Sequence, residues 1–164
     1  MPSKAIQTLL IGSRERFLLL DANLLLLWIT IRYDLRLLRT FKRIQGFTQD
    51  DAILLSWLVD QFKGIATTAH VVTEVSNLAN SLSSQTRLEW FDNLAQFSSE
   101  ALEDTQSLRI LAARPEFIRF GIADCAIAAH MGTYQLLTTD FRLSNFMRSS
   151  AGTALNFDDL RRMV

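Results

Sequence analysis

Two short apolar runs, each ending at or just before an aspartate, constrain this chain more than any other feature. Phe17–Leu20 (FLLL) meets Asp21, and the run from Tyr134 to Thr138 (YQLLT) is followed by Asp140. Mainly apolar runs of four or five residues suit a buried strand and are too short for a buried helix. After Asp21 the apolar spacing changes to that of a helix: Leu24, Leu27, Trp28, Ile31, Leu35 and Leu38 form one stripe. Short apolar strands alternating with helices predict an α/β fold, with a mostly parallel central sheet flanked by helices. In such sheets the carboxyl ends of the strands present the functional groups, and Asp21 and Asp140 stand there.

The rest of the chain fits this alternation. Helical spacing predicts one helix from about Ala22 to Arg43, stopped near Gln45 and Gly46. A second, capped by Thr48, runs to about Phe62. Ile65–Thr68 reads as a strand, and a helix follows from about Val71 to Leu82. Another spans about Ser84 to Asp104, with Leu88, Phe91, Leu94, Ala95 and Leu102 inward. Leu108–Leu111 is ambiguous by spacing, with a short extended piece as one reading. Pro115 suits the first turn of a helix reaching Met131, with Gly132 as its stop. Phe141–Met147 is a short helix, Thr153–Asn156 a last strand, and Asn156 caps a final turn. Residues 1–16 read as an arm or short helix, and 17–164 as a single domain.

Composition narrows the chemistry. Lys and Arg total 17, as do Asp and Glu, so contact with a polyanion would need a local basic patch. A lone Cys125 excludes an intrachain disulfide and a cysteine zinc cluster, and two histidines make a poor transition-metal site. Asp21 and Asn23 interrupt the apolar Phe17–Ile31 stretch, so no membrane span is expected. The first 16 residues are a poor match for a signal peptide, which favours a cytoplasmic protein.

Two further carboxylates sit in apolar settings: Glu74 in TTAHVVTEVSNL and Asp124 in FGIADCAIAAHM. Asp21 and Asp140 would serve equally well as helix N-caps, and Glu74 alone as a solvated helical residue. Asp124, among Ala123, Cys125, Ala126 and Ile127, is hardest to explain without a partner. Two carboxylates ~4 Å apart repel by roughly 4 kcal/mol at an effective dielectric near 20. Four converging acids therefore call for protonation or a hard dication, Mg²⁺ or Mn²⁺. Arg32, Arg36, Arg39 and Arg43 recur at helical spacing and would line one face. That face would suit RNA phosphates, an acidic partner or plain solvent. Trp28, Trp57, Trp90 and Cys125 read as core or interface residues.

In order and spacing these pieces resemble the PIN-domain nucleases over about residues 17–160, most closely the VapC-like toxin ribonucleases. The motifs are Asp21-Ala22-Asn23 after a strand, Thr73-Glu74 on a helix, Gly121-x-x-Asp124-x-x-Ile127-Ala128, and Thr138-Thr139-Asp140 after a strand. Two features depart from the family pattern: Ala22 stands where many members have Thr or Ser, and the 24–63 stretch is long. The resemblance implies a PIN-like fold and a Mg²⁺- or Mn²⁺-dependent endoribonuclease leaving 5′-phosphate and 3′-hydroxyl ends. By that resemblance Asp21, Glu74, Asp124 and Asp140 form the metal site, with Asn23 and Thr138 hydrogen-bonding behind them. It also implies an RNA substrate and an antitoxin protein as partners, and the apolar excess around Leu24–Ile31 leaves a homodimer open. A non-catalytic module binding RNA or protein is the alternative expectation.

Overall fold

The structure, a computed structural model, describes residues 4–150 and 154–164. Its elements are α1 (Lys4–Leu9), β1 (Phe17–Leu20), α2 (Ala22–Tyr33), α3 (Gln49–Val59), β2 (Gly64–Thr67), α4 (Ala69–Ala79), α5 (Ser84–Glu100) and β3 (Leu102–Glu103). They continue with α6 (Leu108–Ala112), α7 (Pro115–Phe120), α8 (Ile122–Ala129), β4 (Gln135–Thr138), α9 (Phe141–Ser150), β5 (Ala154–Asn156) and α10 (Phe157–Arg161). Thr153, expected in the last strand, and the first three residues of the arm lie outside the described residues.

The five strands form one sheet in the order β3-β2-β1-β4-β5, and every adjacent pair is parallel. Helices flank it, as expected for an α/β fold and compatible with a PIN-like one. Leu18, Leu19, Leu20, Leu136 and Leu137 are buried, as central strands of a covered parallel sheet require. Chain order runs outward from β1 through β2 to β3, then returns beside β1 for β4 and β5. The carboxyl ends of β1 and β4 therefore meet at the point where the strand order reverses.

The first helix of the domain is consumed by the core. Leu24, Leu25, Leu26, Leu27 and Ile29 are all at most 1 % exposed. Each such side chain contributes about 1.5–3 kcal/mol by leaving water. The apolar excess that left a homodimer open is thus accounted for within one chain. Ile6 of α1 is buried in the same core. Trp90 is fully buried, and its Nε1–H donates to the Thr30 hydroxyl at 3.0 Å, tying α5 to α2. Trp28 and Trp57 are half-buried against the core. Thr48 and Asp51 make the expected cap of α3 reciprocal. Asp51 also takes two guanidinium hydrogen bonds from Arg161, at 2.7 and 2.8 Å, which pin α10.

Several expectations need correction. The helix expected to reach Arg43 ends at Tyr33. Asp34 turns extended there and caps a 3-10 turn over Leu35–Arg39 by accepting the Arg36 N–H at 2.9 Å. Arg32, Arg36, Arg39 and Arg43 consequently do not share one helical face. Arg32 ends α2, Arg36 and Arg39 lie on that 3-10 turn, and Arg43 lies on another. Helix α5 stops at Glu100, which frees Leu102 and Glu103 to pair with β2. Its buried face is Trp90, Leu94 and Phe97, while Leu88, Ala95 and Leu102 face outward. Leu108–Ala112 is helical, not extended. The helix expected from Pro115 to Met131 is two helices, divided at Gly121, and the second ends at Ala129.

Gly121 makes that division with φ +83° and ψ −179°, a conformation essentially confined to glycine. Nothing lies within 4 Å of where its Cβ would stand, so the requirement comes from the backbone and not from crowding. Gly121→Ala should cost about 1–3 kcal/mol through strain alone, measured as a lower urea midpoint with an unchanged slope. An unaltered midpoint would mean that the α7–α8 bend does not depend on glycine.

Candidate metal site at the sheet edge

The four acids reach one region from four elements. Asp21 follows β1, and its backbone N–H continues the ladder to Leu137 O at 3.2 Å. Asp140 follows β4, the adjacent strand. Glu74 rides α4, whose start is fixed by Thr68, the residue after β2, accepting the Val71 N–H at 3.2 Å. Asp124 rides α8, which packs against α4, and the Gly121 bend places it in the first turn of that helix.

Asp21 is 5 % exposed and its carboxylate is held on all sides. Oδ1 accepts the Leu24 N–H at 2.8 Å, the N-cap of α2. Oδ2 accepts the Thr138 hydroxyl at 2.5 Å, the Thr139 N–H at 2.8 Å and the Thr139 hydroxyl at 3.3 Å. Burial nevertheless outweighs these hydrogen bonds and raises the Asp21 carboxyl above the ordinary aspartate range. Thr138 is a bridge: its oxygen also accepts the Asp140 N–H at 2.9 Å. Asp140 Oδ1 in turn caps α9, accepting the N–H groups of Arg142 at 2.6 Å and Leu143 at 3.0 Å.

Asp124 carries the electrostatic signature of the group. Burial first, then the charges of Asp21, Asp140 and Glu74, push its carboxyl up to about 7. Burial, then the Asp21 charge, also raises Glu74. No Lys, Arg or His forms an ion pair with any of the four among the described residues. Equally, no group of three or more His, Cys, Asp or Glu side chains among those residues is gathered closely enough to hold one ion as it stands. The two findings are compatible. Coulomb repulsion acts over several ångströms beyond the 2.0–2.6 Å of a hard-cation bond, and Asp21 spends its oxygens on protein donors. The donor set, all carboxylate oxygen with no compensating cation, fits a hard dication chemically.

Other expected members stand apart. Asn23 is exposed on the first turn of α2 and makes no side-chain hydrogen bond among the described residues. Thr139, unassigned on sequence grounds, does the holding instead, with Thr138. The signal was present in the paired threonines before Asp140. Neither histidine joins the acids: the His70 ring meets Gln106 O at 3.1 Å, and His130 Nδ1 lies 3.3 Å from Asp104. Cys125 is buried, with Leu111 O 3.7 Å from its sulfur.

A folded-state Asp124 carboxyl near 7 against about 4 when unfolded means that the fold binds the extra proton within that window. The stability this group contributes is fully present below about pH 4 and is lost as pH rises toward 7, by on the order of 2–4 kcal/mol. Chemical denaturation in EDTA across that range should show this fall, and Asp124→Asn should lessen it and stabilise the protein near pH 7.5. A wild-type stability that is flat or rises with pH would contradict the coupling. Compared with protein-family models, curated proteins and solved structures, the chain matches none of them.

Proposed function

We propose that this protein is a Mg²⁺- or Mn²⁺-dependent endoribonuclease of PIN-like type. The observation that supports this most is the coupling of four carboxylates, unpaired with any cation among the described residues, where the strand order reverses. Asp21, Asp124 and Asp140 would hold the ion, and Glu74 a second ion or its water. When bound, such ions polarise a phosphoryl group and make water more acidic. The chain supplies rigidity and adaptability in different places. Asp21 is fixed by Leu24, Thr138 and Thr139, so one carboxylate is set before anything binds. Glu74, on the exposed side of α4, has no hydrogen-bond or ion-pair partner among the described residues. Hydrolysis then adds water across the P–O3′ bond: the water oxygen joins phosphorus, and the 3′-oxygen leaves with a proton. The products are 5′-phosphate and 3′-hydroxyl ends. A cytoplasmic setting and a protein antitoxin belong to the same proposal. Among the described residues no helix is long and apolar enough to cross a membrane.

A second proposal, a non-catalytic module binding RNA or protein, is favoured by one observation. Asp21 already spends its oxygens on protein hydrogen bonds, and no three acids are gathered for one ion among the described residues.

Two measurements separate these proposals. Mn²⁺ at 100 times its Kd adds about 2.7 kcal/mol to a folded state that binds it. For a chain of this size that is roughly a 5–10 °C rise in Tm. The same ion should support cleavage of single-stranded RNA that EDTA abolishes and Asp124→Asn lowers at least about 100-fold, in line with the loss of an electrostatic contributor. Absence of a Tm shift at millimolar Mn²⁺, or cleavage indifferent to EDTA, would overturn the nuclease proposal.

A further inference from the structure

A sheet edge carrying four carboxylates repels a polyanion, so a phosphodiester that reaches it needs cations beside the acids. Two arginines flank the edge. Arg119 lies in the last turn of α7, two residues before the Gly121 bend that starts α8 and leads to Asp124. Arg142 lies in the first turn of α9, with its backbone N–H bonded to Asp140 Oδ1. Both guanidiniums lie over one ring: their central carbons are 4.8 and 5.9 Å from the Phe120 centroid. Arg119 is also 5.3 Å from Phe146, whose ring stands 5.3 Å from Phe120. Both arginines are exposed, and neither forms an ion pair among the described residues. Between Asp140 and Arg142, Phe141 is 65 % exposed.

We propose that Arg119 and Arg142, braced by Phe120 and Phe146, together with the exposed Phe141, are the surface on which a single-stranded RNA is led to the carboxylates. The guanidiniums take backbone phosphates and Phe141 stacks on a base; the choice of RNA rests on the nuclease proposal. A guanidinium stacked on a ring has lost rotamer freedom in advance while its N–H edge stays open to phosphate oxygens. An exposed phenylalanine offers its face to an unstacked base, which a duplex does not present. The arginine group singled out in the sequence is less available, although Arg32 lies over the Trp28 ring at 5.8 Å. Arg36 is paired with Asp34, Arg32 lies 3.9 Å from Glu100, and the four are spread over three elements.

The test is fluorescence anisotropy of a labelled mixed-sequence single-stranded 12-mer RNA on the full chain. EDTA keeps the RNA intact, and salt is varied from 50 to 200 mM. Arg119→Ala with Arg142→Ala should weaken binding about tenfold or more and reduce the log–log salt slope by about 1.4, since each phosphate contact contributes roughly 0.7. Phe141→Ala should weaken binding with the slope unchanged. Arg119→Lys with Arg142→Lys, which preserves charge, should retain the slope and lose affinity through the lost stacking. Arg39→Ala with Arg43→Ala should stay within about twofold of wild type. Wild-type affinity and slope in the Arg119/Arg142 alanine variant would overturn the proposal. So would a loss carried by Arg39 and Arg43, or duplex RNA binding as tightly as single-stranded. RNA bound with these dependences in EDTA but never cleaved with Mn²⁺ would overturn the nuclease proposal and leave this surface standing.

Discussion

Burial of carboxylates at one sheet edge, compounded by their mutual charge, is the constraint on which the candidate site depends. At Asp21, the most deeply buried of the four, the penalty is loss of water around the charge. The fold answers with four hydrogen bonds from Leu24, Thr138 and Thr139. Those donors come from α2 and from the end of β4, so the carboxylate also ties two adjacent elements together. Asp21 is raised in spite of those donors, and Asp124, with none among the described residues, is pushed to about 7 by burial and then by the charges of Asp21, Asp140 and Glu74.

The architecture brings the acids together through backbone devices more than through side-chain packing. Parallel pairing of β1 with β4 sets Asp21 and Asp140 on the same edge. The glycine bend between α7 and α8 lets a second helix start close to that edge, with Asp124 in its first turn. The same bend leaves Arg119 and Phe120 on the preceding helix, facing Arg142 and Phe146 of α9. Negative and positive surfaces thus share a hinge. Asp34 acts similarly elsewhere: by capping a 3-10 turn it ends α2 and disperses the arginines that follow.

What was legible in the sequence divides along physical lines. The runs before Asp21 and Asp140 were readable because buried central strands of a parallel sheet are short and mainly apolar. Thr48 and Asn156 were readable because their caps use only local residues. The end of α2 was hidden, since Leu35 and Leu38 keep helical spacing beyond Asp34 although the chain has already changed course. The two-residue strand β3 is too short to carry a pattern, and its partners on β2 are distant in sequence. Leu88 and Leu102 misled for the opposite reason, being apolar yet outward. Among the candidate site residues, Thr138 was identified on sequence and Thr139 was not. Asn23 was expected to join the site and faces solvent. The pairing of Arg119 with Arg142 depends on two helices meeting, which no local spacing encodes.

The coupling of the acids can be read most directly from the Asp124 side-chain carboxyl carbon, followed by NMR against pH in metal-free solution. Its midpoint should lie near 7 and fall toward the ordinary aspartate range when Asp140→Asn or Glu74→Gln removes a neighbouring charge. A midpoint near 4 in the wild type, or one indifferent to both substitutions, would show that the four carboxylates are not a unit.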